Sequence, residues 1–568
     1  MKTEPLERWL PWILCASAIY LLFYQLGGVA LFEPDEGRNA EKAREILLLH
    51  DWLTPHENFY PVLDKPIFFY WLIAYCFKIF GVSEWAARLP SALAALGCVG
   101  VVYSFARAHW GRWQALWSGL ILLTSFEFFT LARIVIMEMP LTFFLTLALC
   151  AFYQAGHTDD ATRRRVLCLL FYCALGVATL IKGLIGVVVP GLVIYFYLLL
   201  SKQWSMLRRI YLIPGLLLFL AIVLPWYLEM GARHEGYLFY YFWEEHFGRF
   251  ATSEFNRSEP WYYIILVAIG GFLPWSLILP FVVAKYRKKD FDEKTLFVLL
   301  WAGLPVLLFS LSRSKMAHYL LPIFPPLAVF TATLLVRYYQ ESARSARFVL
   351  SLTWGAVGLL ALYFIIGALW PVILPYPIRG AVGSLAKVPW LHAGAILLFL
   401  FFLATWPRSR TKTGQSWCYL AQFSTMAFFL IFVVQLMIAV SSIRSAKGLA
   451  EKAVSMITPT TQLVFYDTYL AGMPYYLRSE KPIWMVTHSR KRKTFLGNYY
   501  ALANREEPVT PWGEALLDHD AFRQRWRSAK QPMVIFLKEK NQTRLEQQVG
   551  ATANRVGAVD EYIILRKP

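Results

Sequence analysis

Apolar runs close to twenty residues long recur through most of this chain, and that feature excludes nearly every fold open to a soluble protein. "GLILLTSFEFFTLA" (119–132) leads through Arg133 into "IVIMEMPLTFFLTLALCAFY" (134–153), and "GAILLFLFFLATW" (394–406) repeats the pattern far downstream. In lipid every backbone N–H and C=O must find its partner inside the protein, so only helices and closed barrels cross a bilayer. Barrel strands would alternate in polarity, which these runs do not, whereas about 20 apolar residues is the length of a spanning helix. Composition agrees. The chain is 57% hydrophobic and only 16% charged over 568 residues, where soluble domains average about 25% charged. The sequence reads as an α-helical polytopic membrane protein.

Spans are expected at 10–27, 88–106, 115–131, 135–155, 166–181, 184–200, 210–229, 261–284, 295–311, 319–336, 348–372, 389–406 and 418–441, about 13 in all. The first is flanked by Lys2 and Arg8, exceeds a signal-peptide core and lacks a small-residue cleavage site, so it reads as a retained span. "RAHWGR", "RRR" (163–165), "KQWSMLRR", "KYRKKDFDEK", "RYYQESARSAR" and "RSRTK" then fall on the same side as the N-terminus. The positive-inside tendency makes that side cytoplasmic. Orientation thus explains the net charge of +19 better than nucleic acid, for which no basic stripe or known fold is visible. The seven cysteines lie in or beside apolar segments without metal-type spacing, so no disulfide framework is expected.

Three segments on the opposite face are longer: 28–87, 230–260 and everything after 441. The first contains "FFYWLIAYCFKIFG", too short for a span and interrupted by Lys78, which suggests an interfacial or re-entrant helix. After 441 the apolar runs shrink to "TQLVFYDTY", "PIWMVTH", "PMVIFLKE" and "DEYIILRK", each strand-like. The expected division is a spanning domain over 1–441, with outer loops 28–87 and 230–260, and a soluble outer α/β domain over 442–568.

The outer face carries the unusual charges. "FEPDEGRNAEKARE" (32–45) packs eight ionisable side chains into fourteen residues just after an apolar run. The ordinary reading of such charges is a solvated loop. Pro34 and Gly37, however, place Asp35 near the start of a helix, where backbone N–H groups favour a negative charge. "YPVLDKPIFFYWL" (60–72) sets Lys65 before an aromatic stretch, as a snorkelling lysine or as a point charge for a phosphate at the membrane surface. "ARIVIMEMP" puts Glu138 and Arg133 where two spans meet, either as a structural pair or as a functional acid. "YYFWEEHFGRF" (240–250) offers His246 and Arg249 about one turn apart, and "SRSKMAHYLLPIFPP" offers Arg313, Lys315, His318 and Tyr319. Lys, Arg and His on this face oppose the positive-inside trend, and an anionic ligand at the outer membrane boundary accounts for them economically. Lys182, in "LIKGLIG", falls at a predicted outer turn. Zinc has only weak candidate ligands in Asp64, His56 and His246, with no tight spacing.

With these residues in view the chain resembles the GT-C glycosyltransferases, multi-span enzymes that use polyprenyl-phosphate sugars. It is most similar to the bacterial lipid A 4-amino-4-deoxy-L-arabinose transferases, the aminoarabinose transferases. "FEPDEGRNAE", "LDKPIFFYWL", "ARIVIMEMP", "EEHFGRF" and "SRSKMAHYLLP" occur in the family's order over about 10–340. The family often has two prolines where this chain has "KPI". The resemblance implies that Asp35 and Glu138 are the catalytic acids and that Lys65 and Arg249 contact the donor-lipid phosphate. Arg38, Tyr60, Arg133, Lys315, His318 and Tyr319 are further substrate-site candidates. It also implies transfer of aminoarabinose from undecaprenyl phosphate to a lipid A phosphate at the periplasmic face of the bacterial inner membrane, which would give resistance to polymyxin and other cationic antimicrobial peptides. The enzyme is expected to be a monomer that requires no cofactor, with a divalent metal such as zinc left open. The alternatives are another polyprenyl-phosphate-sugar GT-C enzyme, such as one resembling protein O-mannosyltransferases, or a transporter. A transporter would show ionisable residues at mid-membrane and internal repeats, neither of which is visible.

Overall fold

The computed structural model describes residues 4–248, 259–284, 291–341, 414–441, 443–487, 515–550 and 553–567, with isolated helical positions at 348, 351 and 355. The chain divides into two compact units, Met1–Leu26 with Arg88–Val440, and Gly27–Ala87 with Ser441–Pro568.

The first unit is a bundle of apolar helices. Among the described residues seven helices are long and apolar enough to cross a membrane, or eight if one sharply bent pair counts as a span. Every expected span that falls on described residues coincides with a helix. The spans expected at 389–406 and, apart from isolated positions, at 348–372 lie outside the described residues. Two expected single spans are broken. The run 115–131 divides at Ser125, whose extended backbone separates Arg112–Thr124 from Phe126–Leu131. The run 261–284 divides into Tyr263–Gly271 and Trp275–Val283, bent by 100°. Pro274 lies at that break and has no N–H to continue the helical ladder. Glu138–His157 and Ala161–Lys182 form a helical hairpin whose turn ends on Asp160, which caps the second helix by accepting from the N–H groups of Thr162 and Arg163 at 2.9 and 3.2 Å.

The second unit corrects the expected division. Segment 28–87 is no loop of the spanning domain, because it folds with the C-terminal residues. Paired hydrogen bonds explain the union. Asn58 Nδ2 donates to the Ile483 carbonyl at 3.0 Å while the Ile483 N–H donates to Asn58 Oδ1 at 2.9 Å. The Arg44 guanidinium donates to the Ser479 carbonyl at 2.6 Å, and the Leu31 N–H donates to the Tyr476 hydroxyl at 2.7 Å. Segment 27–87 contributes the helix Asp35–Leu49, a small antiparallel ribbon of β1 (His56–Glu57) and β2 (Tyr60–Pro61), and the helix Phe68–Phe80. The last has 13 residues, about 20 Å of helix against a hydrocarbon core of about 30 Å, so it is too short to cross.

The C-terminal part is a six-stranded sheet of β3 (Gln462–Tyr466), β4 (Trp484–Val486), β5 (Leu516–Leu517), β6 (Met533–Lys538), β7 (Asn554–Val559) and β8 (Tyr562–Lys567), in the order β5-β4-β3-β6-β8-β7. β3 to β6 pair in parallel and β7 and β8 join antiparallel. Alternation along the strands builds two cores. Leu463, Phe465, Val534 and Phe536 face the helix Lys447–Val454, while Val464, Tyr466, Ile535 and Leu537 face His519–Ser528 and Gln542–Val549. β3, β4, β6 and β8 are the four strands expected from the sequence. The other two give weak signals, since β5 is two residues long and β7 is an exposed edge strand with a bulge near Gly557.

Candidate active site

The charges of "FEPDEGRNAEKARE" are mostly not solvated. Burial without partners would be costly, and the helix Asp35–Leu49 finds a partner for almost every charge. Glu36 accepts from the Phe32 N–H at 2.9 Å, Arg44 grips Glu41 at 2.7 and 2.8 Å, and Glu45 accepts from the Phe59 N–H at 2.9 Å. Burial drives the Glu45 carboxyl well above its ordinary range, reinforced by the neighbouring Glu41.

The exposed carboxylate of this helix is in its first turn. Asp35 is its first residue, follows Pro34 and is 58% exposed. Arg38, one turn later, lies 4.0 Å from the Asp35 carboxylate and donates to Glu57 at 3.1 Å. Glu57 is 2% exposed and also accepts from the Tyr469 hydroxyl at 3.0 Å. Lys42, equally buried, lies 3.8 Å from Glu57 and 3.5 Å from Asp64, with its ammonium 5.5 Å from the centre of the Tyr70 ring. Burial alone would lower the proton affinity of Arg38 and Lys42. The neighbouring acidic groups together outweigh that, led by the Glu57 carboxylate for Arg38 and the Asp64 carboxylate for Lys42, so both stay cationic. Burial, and then the Glu57 carboxylate, push the Tyr469 phenol well above its usual range, which keeps it a donor. Lys65 donates to the Asp64 carbonyl at 2.8 Å. Tyr60 is buried in β2. Asp35, Arg38, Tyr60, Asp64 and Lys65 therefore all lie in the second unit.

The first unit holds a second cluster. Glu138 opens the helix Glu138–His157 and is 5% exposed. Its Oε1 receives Lys182 at 2.5 Å and faces His318 Nε2 at 3.2 Å, while Oε2 is buried with no hydrogen-bond partner among the described residues. The Lys182 ammonium sits 4.2 Å from the centre of the Tyr319 ring. His318 and Tyr319 belong to the 3-10 turn Ala317–Ile323. Three expected site residues, Glu138, His318 and Tyr319, are thus brought together, and Lys182 joins them.

Arg133 is placed differently from expectation. It does not pair with Glu138 but is buried against the end of the first helix, Glu4–Phe23, donating to the Leu21 and Leu22 carbonyls at 2.8 Å each and to the Tyr24 carbonyl. Carbonyls at a helix C-terminus lack intrahelical donors, and a cation satisfies both their hydrogen bonding and the helix dipole. Lys315 is turned back onto the Ser312 carbonyl at 2.5 Å. The backbone of His246 lies in the π-helical turn Tyr240–Gly248, and Arg249 lies outside the described residues. Among the described residues no group of three or more His, Cys, Asp or Glu converges as metal ligands would, and the Asp64 carboxylate is next to Lys42.

Glu57 stands in no marked motif, and Lys42 and Tyr469, although they lie in "FEPDEGRNAEKARE" and at the end of "TQLVFYDTY", carry no signal that singles them out. Lys182 carried a usable signal, a lysine ending an apolar helix at an outer turn.

A family model described as dolichyl-phosphate-mannose-protein mannosyltransferase matches residues 64–228. An undecaprenyl phosphate-alpha-4-amino-4-deoxy-L-arabinose arabinosyl transferase of Pseudomonas fluorescens is 33% identical over 368 residues, 63% of this chain and 66% of the relative. Its counterpart in Edwardsiella ictaluri is 29% identical over 398 residues, 67% of this chain and 71% of the relative. Among solved structures, ArnT from Cupriavidus metallidurans bound to undecaprenyl phosphate superimposes with a TM-score of 0.83 at 26% identity, covering 98% of this chain and 97% of that one. The same protein in the apo state matches equally, with a TM-score of 0.83 and 98% of each chain covered. Likeness over nearly the whole chain, in helices and sheet alike, places this protein among the GT-C glycosyltransferases, in the family of the aminoarabinose transferases.

Proposed function

We propose that the chain transfers 4-amino-4-deoxy-L-arabinose from undecaprenyl phosphate to a phosphate of lipid A, at the periplasmic face of the bacterial inner membrane, as a monomer. The observation that supports this most is the fold match over 98% of the chain, with a TM-score of 0.83, to a structure holding undecaprenyl phosphate. The mannosyltransferase family model covers only 64–228 and carries no competing reading.

In this reading an oxygen of the lipid A phosphate attacks the anomeric carbon of the sugar. The bond from that carbon to the undecaprenyl phosphate oxygen breaks, and its electron pair leaves with the lipid phosphate. A phosphate monoester has its second pKa near about 6, so the acceptor is largely dianionic at neutral pH and needs little help from a base. Asp35, exposed and held near Arg38 without being consumed by it, then serves best by pairing with the ammonium of the sugar or orienting the acceptor. Lys65 and Arg249 stabilise the charge that grows on the departing phosphate. Glu138, fixed through one oxygen by Lys182 and His318, keeps Oε2 as an acceptor for a substrate N–H or O–H. No step in this scheme calls on a metal.

The test supplies purified protein in vesicles with labelled undecaprenyl-phosphate aminoarabinose or a labelled polyprenyl-phosphate mannose, and with lipid A or a serine-rich peptide as acceptor. Label should pass only from the aminoarabinose donor to lipid A. Transfer to the peptide, or from the mannose donor alone, would overturn the assignment.

A further inference from the structure

The segment Tyr469–Tyr476, which follows β3 in the C-terminal part of the second unit, touches the stretch 31–57 at three separate points. The Tyr469 hydroxyl donates to Glu57 Oε1 at 3.0 Å, the Gly472 N–H donates to Glu33 Oε1 at 2.7 Å, and the Tyr476 hydroxyl accepts from the Leu31 N–H at 2.7 Å. The backbones of Gly37 and Gly472 meet so closely that a Cβ on Gly37 would stand 2.5 Å from Gly472 Cα. The first of these contacts continues inward. Glu57 Oε1 also receives Arg38 Nε at 3.1 Å, and the other end of that guanidinium lies 4.0 Å from the Asp35 carboxylate. A hydroxyl in the C-terminal part and a carboxylate at the first helix turn are therefore joined through two side chains. Glu57 has few ways to shift, because Lys42 flanks its second oxygen at 3.8 Å.

We propose that Tyr469 is a positioning residue for the transfer reaction, its hydroxyl fixing Glu57 so that Arg38 holds Asp35 in the place where it meets substrate. The C-terminal sheet part then supplies the outermost contact in the support of Asp35, within the same unit. Phenol is suited to this. It is kept protonated by its buried setting beside a carboxylate, and a donor to a charged acceptor makes a stronger bond than a neutral pair does. The proposal rests on the reading of Asp35 as a group that meets substrate.

The experiment is a double-mutant cycle on the purified full chain, reading kcat and the KM for undecaprenyl-phosphate aminoarabinose separately. Tyr469→Phe keeps the ring and removes only the hydroxyl. It should lower kcat about tenfold with KM for the donor changed less than about twofold, and lower the thermal unfolding midpoint only modestly, because Glu57 keeps its bond from Arg38. In an Asp35→Asn or a Glu57→Gln background the same substitution should have little further effect on kcat, because residues acting through one another are not additive. Tyr469→Phe with wild-type kcat, while Asp35→Asn is impaired, would overturn the positioning role and leave the reading of Asp35 standing. An equal loss in all three backgrounds would overturn it as well, since a general structural effect would be additive. Asp35→Asn with wild-type kcat would instead remove the reading on which the proposal rests. Tyr469→His, able to donate to Glu57, should recover part of the rate that Phe loses.

Discussion

Asp35 and Glu138 occupy the same local position, the first residue of a helix with no side-chain cap before it, yet their surroundings differ in kind. Both profit from the backbone N–H groups and dipole of a helix start. Glu138 is 5% exposed and gripped by an ammonium at 2.5 Å and an imidazole at 3.2 Å. Asp35 is 58% exposed, and the Arg38 guanidinium stands 4.0 Å away, itself bound to another carboxylate. A carboxylate held like Glu138 is part of the framework of its bundle, with one oxygen left over. A carboxylate held like Asp35 is placed at the surface but not occupied, which suits a group proposed to meet a substrate charge.

The sharpest way to break this contrast is Lys182→Ala. It leaves Glu138 buried with half its compensation gone, and removing one partner of a buried pair costs about 3–5 kcal/mol. Thermal unfolding of the purified protein should fall by many degrees, and Lys182→Ala combined with Glu138→Gln should recover part of the loss. Equal stability of Lys182→Ala and wild type would show that the pair is not buried as described.

Glu33, two residues before Asp35, sharpens the comparison from the other side. Burial raises its carboxyl to about 7, against the lowering effect of hydrogen bonds from the Gly472 and Ala471 backbone. The unfolded chain releases this proton near the ordinary value of 4.5 while the folded chain keeps it to about 7. The folded state therefore binds more protons between these values, and stability falls as pH rises through that window, by about 3 kcal/mol at most. Unfolding midpoints measured from pH 4.5 to 8 should decline more steeply in wild type than in Glu33→Gln, which cannot ionise. Parallel curves would contradict it. Lys65→Ala has a somewhat smaller expected effect, a loss of about 10²-fold in rate through weaker support of the leaving phosphate, read as kcat at saturating donor. An unchanged kcat would remove Lys65 from the phosphate site.

The contrast also explains what could be read from sequence. Spans were legible because a bilayer demands long apolar runs, and their breaks at Ser125 and Pro274 were not, because the run of apolar residues continues across both. Asp35 was legible from Pro34, Gly37 and the helix that follows. Its support was not, because Glu57 and Tyr469 are 412 residues apart in the chain and meet only after the sheet has formed. Arg133 shows the reverse error. A nearby acid suggested an ion pair, whereas the orphan carbonyls of the first helix claimed the guanidinium. Local pattern reports where charge is unusual, and tertiary pairing decides what each charge does.

The most direct test is mass spectrometry of lipid A from a Gram-negative strain lacking its own aminoarabinose transferase and carrying either this chain or its Asp35→Asn variant. An exposed helix-start substitution should change stability by no more than about 0.5 kcal/mol, so both proteins should reach the membrane in equal amounts. The expected result is aminoarabinose-modified lipid A with the wild-type chain and a loss of about 10²-fold or more in that species with Asp35→Asn. Unmodified lipid A in both strains, with normal membrane levels of each protein, would contradict the proposed reaction.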